Sequence, residues 1–374
     1  MRAAVIACAI VIASARAAAA YPIFQFSSGS DRCEACHFAP DGGGLLNDFG
    51  RTEAGDTISW RGGDGRFLHG TWTPPDAIAL GGDFRAAGAG IARSEDDPQV
   101  LAFPMQADLY ARIAAGPISV HVTGGLNGAA RSRPDGAGPE AYVVSREHYV
   151  MYQRAPGELY VRAGRFFPVL GLRSADHTAL ARRALDFYNL EEPYALGIGT
   201  SGGSWDFHAS AFVPNPFPST AAGAQAYGAT AYYEWFGDAS AIGGQARYAQ
   251  TADDKRILVG ATAKHWMPGP RLLWLAELDL QRQQITDADL ARLQLLGYAG
   301  VTRVMLPGLA IGVAAQRWDP DVLLGGSSRN TGELNVQLFP WAHFELHLLG
   351  RVGLVGGRAG SPDSLALLQI HYYP

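Results

Sequence analysis

Cysteine, methionine and lysine are scarce in this chain of 374 residues, which has three cysteines, five methionines and, as its lysines, Lys255 and Lys264 alone. The basic residues are therefore nearly all arginine, which we attribute to genome composition and not to function. The net charge of -5 predicts no general attraction to nucleic acid. The sequence also lacks a nucleotide-binding loop and a nucleophile elbow, so nucleotide and hydrolase chemistry have no support and no catalytic residue is assigned.

Long apolar runs are absent after residue 20, so no transmembrane helix is predicted there. The first twenty residues combine Arg2, an apolar run over residues 3–14, and the small residues Ala18–Ala20. This pattern is typical of a cleaved Sec signal peptide, and we expect the mature chain to begin near Tyr21. An uncleaved anchor is the alternative. Cys8 would leave with the signal.

The exported chain then keeps two cysteines, Cys33 and Cys36, and His37 follows them directly. Two cysteines separated by two residues can both form thioether bonds to one edge of a porphyrin, and the adjacent histidine then lies under the iron. The motif predicts one covalent haem c, with Cys33 and Cys36 as attachment points and His37 as the proximal iron ligand. A disulfide or a metal site is the alternative.

Residues 21–75, here called the N-terminal segment, are rich in Gly, Asp and Arg and show no sustained periodicity. A segment of this size is marginal as an independent domain. We expect a covalent haem, and walls supplied by the following domain, to stabilise it. The predicted organisation is a signal peptide (1–20), a monohaem cytochrome c segment (21–75) and a β-domain (76–374).

From about residue 76 onwards, apolar and polar residues alternate with period two, most clearly in residues 271–281. Such alternation predicts strands with one apolar and one polar face. About sixteen strands are predicted, near residues 76–87, 99–113, 118–127, 142–155, 158–167, 191–200, 204–213, 225–236, 239–249, 255–265, 270–282, 293–304, 308–317, 330–339, 342–352 and 363–373.

The connections between these strands alternate between short Gly- or Pro-containing turns and loops that mostly run to ten or more residues. This alternation, with an even strand number, is typical of an outer-membrane β-barrel with short periplasmic turns. We therefore predict an all-β fold, a transmembrane barrel of about sixteen strands with an apolar face towards outer-membrane lipid, plugged by the N-terminal segment. A soluble β-sandwich or lipocalin-like protein is the alternative. For the longest loop, residues 168–190, we favour an ordinary solvated loop over one folded inwards.

The sixth ligand of the haem iron has several candidates. No methionine lies between the motif and Met105, and His69 is the nearest downstream histidine, so we take His69 as a candidate sixth ligand. Five other histidines fall on positions predicted to face the lumen, where an ordinary polar role is the alternative for each: His121, His208, His343, His347 and His371.

The haem motif is followed by Leu46-Asn47-Asp48-Phe49-Gly50-Arg51. Together these elements resemble the N-terminus of outer-membrane cytochrome–porin fusions, whose best-known members are the iron-oxidising cytochrome–porins of neutrophilic and acidophilic iron bacteria. The residue-level match covers about residues 21–55, and the rest matches in architecture. The resemblance implies an electron conduit with Fe(II)-oxidising activity, in which electrons pass from extracellular Fe(II) to a periplasmic carrier such as a cytochrome c.

Two alternative functions are compatible with the same haem segment and barrel. One is a reductive conduit to external metal, and the other is a diffusion porin whose haem plug is structural or regulatory. Acids predicted to face the lumen would attract cations and favour ferric haem, which favours metal-ion chemistry. These acids are Glu234, Glu277, Asp279, Glu333 and Glu345.

Overall fold

The computed structural model describes residues 22–30, 32–93, 97–126, 143–172, 179–180, 185, 192–216, 226–286, 288, 290–355 and 363–374. The predicted signal peptide, residues 1–20, lies outside the described residues. Sixteen strands form one closed barrel in which each strand pairs with its neighbours in sequence and the last pairs with the first. The predicted barrel is confirmed, and the sandwich and lipocalin-like alternatives are wrong.

The strands run antiparallel around the whole barrel, and each overlaps one strand predicted from the alternating pattern. They are β1 (Ile78–Ala92), β2 (Gln99–Ala115), β3 (Ile118–Leu126), β4 (Val143–Gln153), β5 (Tyr160–Arg165), β6 (Tyr194–Ser201), β7 (Trp205–Val213), β8 (Tyr227–Phe236), β9 (Ser240–Gln250), β10 (Asp254–Met267), β11 (Leu272–Ile285), β12 (Leu290–Leu306), β13 (Leu309–Asp319), β14 (Arg329–Leu338), β15 (Phe344–Val355) and β16 (Asp363–Tyr372).

The two faces of each strand meet opposite environments. In β11, Trp274 and Leu278 are 49% and 54% exposed on the outside, whereas Glu277 and Asp279 are 7% and 1% exposed inside the barrel. A closed sheet leaves no unpaired strand edge, and an apolar exterior is the surface that a bilayer requires. The protein is therefore a bacterial outer-membrane barrel. Among the described residues, no helix has the length and apolar character needed to cross a membrane.

The N-terminal segment lies at the end of the barrel that carries the short turns, which is the periplasmic end in barrels of this kind. It contains α1 (Pro22–Ser27), a 3-10 turn (Cys33–Ala35), α2 (Asp48–Glu53), a π-helical turn (Ala54–Ile58) and a second 3-10 turn (Phe67–Gly70). Its backbone pairs with the turn between β14 and β15: Trp60 N donates to Phe339 O at 2.8 Å, and Ala342 N donates to Gly62 O at 3.1 Å.

Two ion pairs hold the same segment against the lumen wall. Arg32 Nε lies 2.8 Å from Asp206 Oδ1 on β7. Arg162 Nη1, on β5, lies 2.8 Å from Asp41 Oδ1, and both of these side chains are almost completely buried. Breaking a buried pair by removing one partner costs about 3–5 kcal/mol, so the segment is held firmly inside the mouth of the barrel.

The long connection between β5 and β6 folds into the lumen where the structure describes it. Residues 166–172, here called the inner loop, are largely buried, and Leu172 N donates to Glu277 Oε2 at 3.2 Å. Further along, Leu185 O accepts a hydrogen bond from Arg247 Nη1 at 2.7 Å. The expectation of a solvated loop is wrong for these residues, because polar side chains of the barrel wall satisfy the backbone of the loop. Residues 173–178, 181–184 and 186–191 lie outside the described residues.

Candidate haem site

The two motif cysteines and the histidine lie on one tight turn. Cys36 N and His37 N both donate to Cys33 O, at 3.2 and 3.1 Å, so the chain folds back on itself across the motif. No disulfide joins the two cysteines, and both are half-buried. Within the described ranges, no group of three or more His, Cys, Asp or Glu side chains is arranged to hold a metal ion.

Asn47 ties this turn to the helix that follows. Its side-chain Nδ2 donates to the carbonyl oxygens of Glu34 and Ala35, at 3.1 and 2.9 Å, and its backbone N donates to Cys36 O at 2.9 Å. Its Oδ1 accepts from Gly50 N at 2.9 Å and so caps the N-terminus of α2. One side chain therefore fixes both the helix and the haem-motif turn.

Gly50 is required by the same contact. A Cβ atom at this position would overlap the carbonyl oxygen and the carbonyl carbon of Cys36. The helix can approach the turn this closely because glycine has no side chain. The Leu-Asn-Asp-Phe-Gly element, which carries part of the sequence resemblance, thus holds the motif turn against the helix in this chain. This role of Asn47 and Gly50 was not assigned from the sequence.

Cys33, Cys36 and His37 line one cavity inside the barrel, here called the lumen cavity. Its empty volume is about 1640 Å³, including the part open to solvent. Three parts of the chain supply its walls. The N-terminal segment contributes Phe24, Leu46 and Ile58, the inner loop contributes Phe167, Pro168, Val169, Leu170 and Leu172, and the strands contribute Asp206, His208, Tyr232, Glu234, Gln245, Lys264 and Glu277.

These walls fit a haem c. A porphyrin needs apolar surfaces against its faces, and the N-terminal segment and the inner loop provide them. Its propionates need polar or basic groups, and Arg32 and Lys264 both line the cavity. The two thiols needed for attachment and the imidazole needed for the iron lie on one wall, so the residues present match the donor set that the motif requires.

Burial affects the protonation of Cys36, one of the two motif cysteines. Burial, with smaller contributions from Cys33 and Glu53, raises the pKa of the Cys36 thiol to about 11. A thiol with such a pKa is neutral at pH 7, whereas reactive and redox-active cysteines have lowered pKa values. Burial also raises the pKa of Glu34, against hydrogen bonds from Gly157, Gln153 and Ser201 that lower it.

His69 lies at the barrel rim and does not line the lumen cavity. Its Nε2 is hydrogen-bonded to the hydroxyl of Tyr372, and its ring lies 4.8 Å from that of His343. The structure therefore does not bring His69 together with the cysteines of the motif. His343 lies in the turn before β15 and not on a strand, with a φ of 68°.

Four of the five histidines predicted to face the lumen lie on strands with their side chains inside the barrel, and the fifth, His343, is buried in the turn before β15. His121, His208, His343 and His371 are buried, and His347 is partly buried with Nε2 3.0 Å from Asn335 Oδ1. Of these five, His208 is the one that lines the lumen cavity. Sequence proximity pointed to His69, whereas the closure of the barrel brings β7 to the motif.

Comparison with known proteins identifies the fold. The structure is similar to OprB of Pseudomonas putida, with a TM-score of 0.62 and 13% identity over 80% of this chain and 94% of that one. It is also similar to OmpT of Vibrio cholerae, with a TM-score of 0.59 and 10% identity over 81% and 100%, and to OmpF of Salmonella typhi, with a TM-score of 0.60 and 10% identity over 79% and 97%. No family model and no curated protein matches the sequence. The chain therefore has the fold of an outer-membrane barrel.

Proposed function

We propose that this protein is an outer-membrane electron conduit. One haem c, attached to Cys33 and Cys36 and ligated by His37, would pass electrons from extracellular Fe(II) to a periplasmic carrier such as a cytochrome c. The observation that carries the proposal is that the haem-attachment motif lines a cavity inside a membrane-spanning barrel. An exposed periplasmic tail would have no such cavity.

Physics favours a redox group in this position. The apolar layer of a barrel is about 25 Å tall, and such a layer is a poor path for electrons. A group inside the lumen divides that distance into shorter steps. The N-terminal segment and the inner loop occupy part of the lumen around the same cavity.

Two of the five lumen acids support a cation as the external donor, and the other three do not. Three of the five lumen acids have basic partners: Glu234 lies 2.9 Å from Lys264, Glu333 lies 2.6 Å from Arg351, and Glu345 is hydrogen-bonded to His371. Their charges are largely compensated and offer little attraction to a cation.

Glu277 and Asp279 differ, because neither forms an ion pair with a basic side chain among the described residues. Both carboxylates accept hydrogen bonds from Gln245 Nε2. Asp279 Oδ2 and Gln245 Oε1 are buried without a hydrogen-bond partner in the described part of the chain. Glu277 and Gln245 also line the lumen cavity, so a carboxylate without a basic partner and an amide oxygen without a described hydrogen-bond donor border the candidate haem site. Hard divalent cations prefer such ligands.

The chain's own residues would have distinct tasks. A bound haem supplies one-electron chemistry. His37 would hold the iron, Cys33 and Cys36 would fix the macrocycle edge, and Asn47 and Gly50 would hold the motif turn. The inner loop would exclude water from the cavity. Oxidation of Fe(II) to Fe(III) would release one electron, which a bound haem would take up and pass on to the periplasmic carrier.

The decisive experiment mixes the purified, oxidised protein with Fe(II) in a stopped-flow spectrometer and follows the haem absorbance. We expect reduction of the haem by Fe(II), and a second phase of reoxidation when an oxidised soluble cytochrome c is added. A protein that dithionite reduces but Fe(II) does not would contradict the Fe(II) assignment. Reduction by a reduced cytochrome c followed by electron transfer to Fe(III) would instead indicate the reductive conduit. If a haem-loaded protein shows neither reaction, the remaining hypothesis is a diffusion porin whose haem plug is structural.

A further inference from the structure

The second axial position of a haem held by His37 must be filled from the lumen cavity, from water or not at all. Among the described residues that line this cavity, His208 is the second histidine, and no methionine is present. Lys264 also lines it, but its Nζ donates to Glu234 Oε2 at 3.0 Å and to Gln25 Oε1 at 3.1 Å. His208 is therefore the strongest protein candidate.

Two ion pairs join the N-terminal segment to the barrel wall near His208. Asp206, two residues earlier on the same face of β7, binds Arg32, which directly precedes the first motif cysteine. Arg162 on β5 binds Asp41, which lies four residues after the motif histidine. His208 itself is 7% exposed, on the lumen side of β7. The barrel wall at His208 is thus fixed against the part of the segment that carries the motif.

The hydrogen bonding of His208 suits an iron ligand. Its Nδ1 lies 2.9 Å from the hydroxyl of Tyr160. When Nδ1 donates to that hydroxyl, Nε2 carries the lone pair, and Nε2 makes no hydrogen bond to any described residue. Histidines that ligate metals almost always donate their other ring N–H to a hydrogen-bond acceptor, which fixes the tautomer and the ring orientation, and the Tyr160 hydroxyl would be that acceptor here.

Strand β6, which lies between β5 and β7, leaves room for the rings of Tyr160 and His208. A Cβ atom at Gly199 of β6 would lie 2.5 Å from Cε1 of Tyr160 and 2.6 Å from Nδ1 of His208. Glycine at this position leaves room for the Tyr160–His208 hydrogen bond across β6. The arrangement is therefore specified by three strands.

We propose that His208 Nε2 is the sixth ligand of the haem iron, with Tyr160 as a positioning residue. This inference rests on the haem attachment proposed above. An iron with two histidine ligands is six-coordinate and low-spin, and it has no open position for an external ligand. Electrons from an external donor would then enter through the porphyrin edge and not through a bond to the iron.

The test compares His208→Ala with His69→Ala and His121→Ala in the full, haem-loaded barrel. His121 is a matched control, because it is also a buried lumen histidine but binds Ser119 and does not line the cavity. We expect His208→Ala to convert the haem from low-spin to high-spin in its visible and electron paramagnetic resonance spectra, and to allow rapid carbon monoxide binding to the ferrous form. Added imidazole should restore the low-spin spectrum. His69→Ala and His121→Ala should stay low-spin.

Tyr160→Phe should keep a low-spin haem while its midpoint potential shifts, because the ligand loses its hydrogen-bond partner but not its nitrogen. Haem staining of denaturing gels separates failure of the inference from failure of the haem assignment: an unstained wild-type protein overturns both. A stained protein in which wild-type haem is high-spin, or in which His208→Ala remains low-spin, overturns the His208 assignment alone. If His69→Ala instead converts the haem to high-spin, His69 and not His208 is the sixth ligand.

Discussion

The buried ion pair between Asp41 of the N-terminal segment and Arg162 of β5 predicts how firmly the plug is held. The Arg162 guanidinium donates to Asp41 Oδ1 at 2.8 Å and to Phe167 O of the inner loop at 2.9 Å, and it stacks on the ring of Phe166 at 3.9 Å. One side chain thus joins the plug, the inner loop and the barrel wall. Asp41→Asn keeps the shape of the acid but removes the charge that pairs directly with the guanidinium in a buried site.

Removing one partner of a buried pair costs about 3–5 kcal/mol. Since about 1.4 kcal/mol is a factor of ten in an equilibrium constant, displacement of the plug should become about two to four orders of magnitude more favourable. The matched control is Asp64→Asn in the same segment, because Asp64 pairs with Arg66 at 2.6 Å on an exposed surface. Exposed pairs contribute little, so this control should change the equilibrium far less.

Two measurements check this. Proteolysis of the N-terminal segment at increasing urea concentration reports the free energy of plug displacement, and single-channel recording reports brief openings of the pore. Asp41→Asn should be cleaved at lower urea and open more often than Asp64→Asn. The double variant Asp41→Asn with Arg162→Gln should recover part of the loss, because neither member of this pair then carries a charge without its partner. Equal behaviour of the two single variants would refute the view that the Asp41–Arg162 pair holds the plug.

Three further predictions concern the candidate site. Replacing both Cys33 and Cys36 by Ala should abolish covalent haem, and undiminished haem staining of the denatured double variant would refute the assignment. Gly50→Ala should lower haem yield and the melting temperature together, since the added carbon overlaps Cys36 O; an unchanged melting temperature would contradict the packing argument. Glu277→Gln should slow haem reduction by Fe(II) more than reduction by dithionite, whereas Glu333→Gln, outside the cavity, should slow neither reaction selectively. If Fe(II) reduces the haem at the same rate in the two variants, Glu277 has no part in electron transfer from Fe(II).

The barrel was predictable because lipid and lumen impose opposite demands on alternate residues of one strand. Trp274 and Glu277 of β11 show this contrast directly. The pattern fades where both faces carry small residues, as in residues 86–90, and the predicted end of β1 at residue 87 is five residues before its observed end at Ala92. A period-two signal needs side chains that differ, so glycine and alanine at strand ends hide the boundary.

The composition of the site was harder to predict, because closure of the barrel joins residues far apart in sequence. His208 lies 171 positions after His37, and no local pattern relates the two. The inner loop did carry a usable signal: Phe166-Phe167-Pro168-Val169-Leu170 is an apolar run within a loop. Apolar side chains gain by leaving water, and in a barrel loop the lumen offers a place to bury them.

In the proposed conduit, the plug and the electron path would make opposite demands on the same barrel. A pore that conducts water and ions freely does not need a redox group, whereas a closed barrel insulates its two sides unless electrons have a group on which to stop. The Asp41–Arg162 pair and the backbone pairing at the Phe339 turn hold the N-terminal segment at the periplasmic mouth. Cys33 and Cys36 line the lumen cavity in that region, where the proposed haem would carry electrons. In the proposed conduit, a variant that loosens the N-terminal segment should therefore change conductance and haem potential together.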